Sequence, residues 1–545
     1  MLASLVLSVI IGVSALVHNP RTPVIVDRPY NIVSEVNIPL KEAVEADGVI
    51  ELALEDIPRK AVRSVRLMYT GTAKPLVSGT GSAVFRQHFN QWAGGWSLWH
   101  DPEYSLELAR CRPGKDGPVL LRFHHRLVAD DNYFYVSLEL DSRKMDISES
   151  FLCEVRSACL DAGEGMQPLE VRQDGFPRRY AGVAVRNHLD DGVDSYRIPG
   201  LVRTGKGTLV AVYDIRRDSS FDLNGDIDIG VSRSTDGGRT WEKMRVAVDM
   251  GEAGGLPKGQ NGVGDPCILV DDGTGDLFIA GLWAHGRGGG TAIFTSRTGM
   301  DPIDVSQMVL VRSTDDGKTW SAPENITPQV KEPGESCCFQ GPGAGITMKD
   351  GTLVIPCQWW SADKVPSAGI IYSRDHGKTW KRSRQGVLHT CEAQVAETTE
   401  GTLMLNMRNY GTPDHARKVF TTGDMGDSWQ PHPSNGTLQE PVCQASLLKI
   451  PAGDNILGVD LLFFSNPASD PGTRNRITLR ASTDLGLGWP FALMLDEEHG
   501  WGYSCIAPVD KETVGILYES GSAQLVFQKI KIKDIVKPTD ELTQP

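Results

Sequence analysis

Apolar and polar residues alternate with a period of two along much of this chain, as in Ala61-Val-Arg-Ser-Val-Arg-Leu-Met-Tyr69, Val119-Leu-Leu-Arg-Phe123 and Tyr133-Phe-Tyr-Val-Ser-Leu-Glu-Leu140. Alternation turns every second side chain toward one face, so these stretches read as half-buried strands, and no apolar repeat of helical spacing competes with them. Farther along, the apolar runs shorten and resemble one another. Gly207-Thr-Leu-Val-Ala-Val-Tyr213, Gly351-Thr-Leu-Val-Ile-Pro356 and Gly401-Thr-Leu-Met-Leu-Asn406 all open on Gly-Thr-Leu. The pattern predicts an all-β chain in two parts: a β-sandwich of jelly-roll type over residues 18–180, and a repeat architecture over 181–545.

A turn motif punctuates the second part. Three intact copies of Ser-x-Asp-x-Gly-x-Thr-Trp begin at Ser234, Ser313 and Ser373, and two decayed copies begin at Thr422 and Ser482, with Asp, Gly and Trp still in register. The carboxylate and hydroxyl can cap turn amides, the glycine accepts a positive φ, and the tryptophan brings a large apolar surface to the next strand. Each copy is a hairpin corner. Successive copies lie 49 to 79 residues apart, room for one four-stranded sheet plus loops, which is the rhythm of a β-propeller.

Length and charge narrow the function. The chain has 545 residues, 40% of them hydrophobic, and 58 glycines, more than one ordinary core requires. A formal charge of −14 with no Lys/Arg run argues against nucleic acid as a partner. Residues 2–17 are apolar and uncharged and end near Ser14 and Ala15, so the leader 1–17 reads as a signal peptide. Export to the periplasm, cell surface or medium is expected, without stable membrane insertion. The ten cysteines show no metal-binding spacing and read mostly as buried small apolar residues. Three tryptophans in Gln91-Trp-Ala-Gly-Gly-Trp-Ser-Leu-Trp99 suit either a sugar-stacking platform or core plus turn, and the usual burial of tryptophan favours the second.

Repeated turns explain architecture; chemistry has to come from what does not repeat. Arg197 in Tyr196-Arg-Ile-Pro199, Arg408 in Leu405-Asn-Met-Arg408 and Arg474 in Arg474-Asn-Arg-Ile-Thr478 fall at strand ends or loops of different repeats, positions that can converge on a propeller axis. Three guanidiniums around one point suit a carboxylate ligand, because arginine stays charged and offers a planar two-pronged donor.

At these residues the sequence resembles the bacterial exo-α-sialidases, a family that includes the trypanosomal trans-sialidases. Tyr196-Arg197-Ile198-Pro199 is similar to its Phe/Tyr-Arg-Ile-Pro signature, and the turns are similar to its Asp boxes. The resemblance implies a six-bladed propeller in which Arg197, Arg408 and Arg474 clamp the C1 carboxylate of sialic acid. It further implies Asp222, six residues past Arg216, as general acid and base, and Glu392 with Tyr503 as the nucleophile pair. Glu519 is the implied partner of the first arginine, and Asp265, like Arg216, a substrate-pocket residue. Asp222-Leu-Asn224-Gly-Asp226-Ile-Asp228 spaces oxygens like a calcium loop but does not match one, since its sixth position is Ile227 and its twelfth Arg233. No metal or other cofactor is expected.

The chemistry is coherent on its own terms. The anomeric carbon of a sialoside bears a carboxylate, so an anionic nucleophile approaches against like charge, whereas a neutral phenol does not. A phenol with an ordinary pKa near ~10 needs a base beside it, which Glu392 supplies, and sialidases with a tyrosine nucleophile are a known exception to the two-carboxylate rule of glycosidases. The expectation is a retaining exo-α-sialidase acting on glycoproteins, glycolipids and oligosaccharides. A trans-sialidase is the alternative. A binding propeller that had lost catalysis would lack at least one of Asp222, Glu392 and Tyr503, and all three are present.

Overall fold

A computed structural model describes residues 23–25, 32–40, 46–71, 86–88, 96–97, 106–129, 131–140, 144–151, 153–173, 179–223, 225–286, 291–496, 499–520 and 524–536. The leader 1–17 and the side chains of the Gln91–Trp99 stretch fall outside them.

The alternating strands of the first part form two antiparallel four-stranded sheets. One runs Gln167–Leu169, Glu154–Asp161, Ala46–Glu55, Val119–Leu127, and the other Ile32–Asn37, Tyr133–Leu140, Val62–Gly71, Leu106–Cys111. Leu52, Leu121 and Phe123 of one sheet and Val65, Phe134 and Val136 of the other share a core, so the period of two in the sequence becomes the two faces of a sandwich.

The second part is a β-propeller of six sheets. Their inner strands are Ser195–Arg203, Val263–Val270, Cys337–Gln340, Thr390–Thr399, Ser446–Ile450 and Ser504–Asp510, each paired outward with an antiparallel second strand. Five sheets take all four of their main strands from consecutive sequence. The sixth adds Arg179–Arg186, from the start of the propeller, to Leu525–Lys531 near its end, which closes the ring and covers the edges that an open array would expose. This explains why six blades carry five turn motifs: the motif joins third to fourth strand, and in the sixth blade those strands are not joined by a turn.

Each motif folds the same way. In the first, the Ser234 hydroxyl donates to Asp236 at 2.9 Å and accepts from the Gly238 amide at 2.9 Å, while Thr240 donates its amide and hydroxyl to Asp236 at 2.9 and 2.6 Å. The decayed fourth copy keeps this network, with Thr422 and Ser428 donating to Asp424 at 2.7 Å each. The glycine also answers a packing demand: a Cβ on Gly238 would lie 1.9 Å from the Phe527 ring of blade six. Trp241 meets that ring edge-on at 5.3 Å, and Trp380 meets Phe278 at 6.3 Å, so these two tryptophans fasten blade one to blade six and blade three to blade two. Eight of the ten cysteines are buried, and all ten are free thiols.

Candidate active site

Strand direction sorts the residues to one end of the propeller. Inner strands start, and second strands finish, at the same end; the Asp-box turns lie at the other. Arg197, Asp265 and Glu392 sit near the starts of inner strands one, two and four, and Tyr503 immediately precedes the sixth. Arg216 and Arg408 end second strands, Glu519 directly follows one, and Asp222 and Arg474 lie on loops between second and third strands. Every residue singled out in the sequence therefore falls at one mouth.

Glu519 joins two blades there. Its fully buried carboxylate accepts from Arg197 Nε at 2.8 Å, from the Ile198 amide at 2.8 Å and from the Tyr503 amide at 3.0 Å. The backbone bends to allow it: Ile198 has φ +60°, rare for a β-branched residue, and pairing with the second strand slips between Arg197 and Gly200. Similar slips follow Gly264 and Cys391, so three inner strands bulge where they carry Arg197, Asp265 and Glu392.

Around Tyr503 the three arginines converge. The hydroxyl donates to Glu392 Oε1 at 2.7 Å, Arg408 Nη1 donates to Glu392 Oε2 at 2.6 Å and to the Tyr503 hydroxyl at 3.2 Å, and the Arg197 and Arg474 guanidiniums lie 5.6 and 5.7 Å from the ring. Arg474 is held by the carbonyls of Trp501 at 3.0 Å and Val442 at 3.2 Å, and Trp501 stacks on Arg197 at 4.1 Å. Gly502, at φ +86°, has no room for a side chain, since a Cβ would lie 2.7 Å from Pro467. Burial, reinforced by the Glu392 charge, raises the Tyr503 phenol well above its ordinary pKa, although Arg408 and Arg474 pull the other way. The resting group is a neutral phenol with a carboxylate at its proton.

Asp222 faces this cluster from blade one, about half exposed at 48%. Burial opposes its charge, but Arg216 at 2.9 Å and Arg197 at 3.8 Å outweigh it and hold the carboxyl below its ordinary range. Arg216 is itself fixed by two hydrogen bonds to the buried Asp214, at 3.0 and 2.9 Å, whose other oxygen accepts from the Asp265 amide at 2.8 Å. Burial and the neighbouring Asp214 push Asp265 well above the usual carboxylate range, although Arg216 pulls the other way. The oxygens a calcium loop would use are engaged by arginines: Asp222 by Arg216, and Asp226 and Asp228 by Arg217.

Asp214 and Trp501 belong to this site and were not singled out from sequence. Asp214 stands at the head of the Asp214-Ile-Arg216 segment, where alternation places both side chains on one face of the strand; that was the available signal. Trp501 adjoins Tyr503 but carries no chemical mark.

The chain is similar to known proteins over most of its length. A BNR repeat-like domain matches residues 207–516. Over 525 residues the chain is 43% identical to a sialidase of Bacteroides fragilis, covering 96% of this chain and 95% of that protein. Among solved structures, the Hadza microbial sialidase Hz136 superposes with a TM-score of 0.82 at 43% identity, covering 95% of this chain and 99% of the other. A mutant of Trypanosoma rangeli sialidase displaying trans-sialidase activity gives a TM-score of 0.51 at 25% identity, covering 62% of this chain and 54% of that one.

The Glu519 hub predicts that Glu519→Gln destabilises the propeller by about 3–5 kcal/mol, the usual loss when one partner of a buried pair is removed. Unfolding by denaturant should show a lower midpoint. A midpoint equal to that of the unaltered protein would mean that Arg197 does not depend on this carboxylate.

Proposed function

The chain belongs to the sialidase family and is a glycoside hydrolase, an exo-α-sialidase, and from that premise we propose that it works with retention through a tyrosyl-enzyme intermediate. The observation that carries the reading is the Tyr503 hydroxyl 2.7 Å from Glu392 inside a ring of three arginines. The C1 carboxylate of a terminal sialic acid docks on Arg197, Arg408 and Arg474, which presents the anomeric carbon to Tyr503. As the phenol oxygen attacks, Glu392 takes its proton, Asp222 protonates the glycosidic oxygen, and the bond to the leaving glycan breaks. In the second half Asp222 removes a proton from water, the water oxygen attacks the anomeric carbon, the bond to Tyr503 breaks, and Glu392 returns the proton. No step requires a metal or other cofactor.

The substrates on this reading are sialylated glycoproteins, oligosaccharides and glycolipids such as gangliosides, met outside the cytoplasm. The apolar stretch 2–17 supports export. Among the described residues no helix is long and apolar enough to cross a membrane. Transfer to a sugar acceptor instead of water is the second reading, raised because the fold matches a sialidase mutant displaying trans-sialidase activity as well as it matches the unmutated Trypanosoma rangeli sialidase. Product analysis by NMR on a sialyllactose tests these together. Sialic acid should appear first as the α anomer; β anomer first would overturn the double displacement, and a sialoside formed on added N-acetyllactosamine, an acceptor distinct from the leaving lactose, would establish transfer.

Asp222 presents a physical problem with a testable answer. A general acid must hold a proton, yet Arg216 and Arg197 favour its charged form in the free site. A substrate carboxylate on Arg197 adds a negative charge beside Asp222 and favours the proton, so the substrate arms its own acid. Because kcat/KM reports the free enzyme and kcat the bound one, the alkaline limb should lie at higher pH in kcat than in kcat/KM. Coincident limbs would contradict this.

A further inference from the structure

Beneath the cluster, on the fourth blade and the loop that follows it, lies a fully buried ion pair that none of the assigned roles uses. Arg417 and Glu440 are both completely inaccessible, with Arg417 Nη1 2.7 Å from Glu440 Oε2. A guanidinium has five N–H donors, and here each has an acceptor. Nε donates to Asn406 Oδ1 at 2.7 Å, Nη1 to Glu440 and to the Cys443 carbonyl at 2.8 Å, and Nη2 to the Asn406 carbonyl at 3.1 Å and, at the limit of 3.5 Å, to the Glu392 carbonyl. The second Glu440 oxygen accepts from the Asn409 amide at 2.5 Å.

The acceptors matter because of what adjoins them. Asn406 and Asn409 bracket Arg408 along its strand, so the pair grips that strand on both sides of the clamp residue. The Cys443 carbonyl neighbours that of Val442, which holds Arg474 at 3.2 Å, and the Cys443 side chain packs with Ile198 and Tyr503. One ion pair thus reaches the backbone of Glu392, both flanks of Arg408 and the loop that orients Arg474. A pair retained for stability alone has no need of this distribution, since well-packed apolar residues usually serve a core as well as a buried ion pair does.

We propose that Arg417 and Glu440 are positioning residues for the reaction, setting Glu392, Arg408 and Arg474 against Tyr503. The proposal rests on the reading of Glu392 as the base for Tyr503. Lysine at 417 keeps the charge but brings three donors on one nitrogen, too few for five acceptors and without the planar fork. Displacement of reacting groups by about 1 Å can cost on the order of 10²-fold in rate.

The test is turnover per competent site. Sites are counted by calorimetric binding of 2-deoxy-2,3-dehydro sialic acid, and kcat on sialyllactose is divided by that count. Arg417→Lys should lower kcat per site by about 10- to 100-fold. A role in folding alone would reduce the number of sites and leave kcat per site at the wild-type value, which would overturn the proposal. If Arg417→Lys yields no folded protein, Glu440→Gln, which preserves shape and removes the charge, decides by the same measure. Glu392→Gln in parallel reports on the underlying reading: survival of turnover there removes Glu392 as the base, whatever the Arg417 variants show.

Discussion

The structure turns on a single carboxylate. Glu519 has no exposed surface and accepts from the Arg197 side chain, the Ile198 amide and the Tyr503 amide. A buried charge persists only when its partners offset the loss of water, and here those partners belong to the first and last blades. The same two blades meet at the seam closed by Arg179–Arg186. Ring closure is therefore a precondition of the site: until the sixth blade docks on the first, Glu519 lacks Arg197, and Tyr503 has no fixed place against Arg408 and Glu392. The positive φ of Ile198 and the slipped pairing beside it are the strain that this carboxylate holds in place.

Charge arrangement follows from that anchor. Burial keeps Tyr503 protonated at rest, with Glu392 in contact with its hydroxyl. The arginines near the ring do not make the phenol a tyrosinate, because burial and the nearby Glu392 charge oppose them. The opposite mouth wall follows the same economy of charge. Arg216 is neutralised from below by Asp214 and faces Asp222 above, while burial and Asp214 favour the protonated form of Asp265. One mouth thus holds a phenol that stays uncharged at neutral pH and a carboxyl whose proton is favoured, beside arginines that stay charged.

Much of this was legible in the chain, for identifiable reasons. The sandwich could be read because Val119–Leu127 buries alternate residues, and the blades because Asp236 and its counterparts repeat a local network that needs nothing distant. The site residues became legible together through family resemblance; taken singly, Arg408 is one arginine among many. What stayed hidden depends on long-range geometry. The resemblance implied that Glu519 partners Arg197, 322 positions away, but nothing local to Leu517-Tyr-Glu519 shows that its carboxylate will be buried and will also take the Ile198 and Tyr503 amides. At two of the three inner-strand bulges the amides of Ile198 and Asp265 donate across blades, to Glu519 and Asp214, and no glycine at either position announces the bulge. Arg417 sits in a stretch of ordinary polarity, and its burial is decided by Glu440 and Phe464 from elsewhere in the fold.

The central claim is that this geometry makes Tyr503 the nucleophile. It is tested most directly by treating the protein with a 3-fluorosialyl fluoride, digesting it, and locating the sugar adduct by peptide mass spectrometry. The account predicts one adduct, on Tyr503, that is lost in Tyr503→Phe. An adduct on Glu392, Asp222 or any other side chain would contradict it.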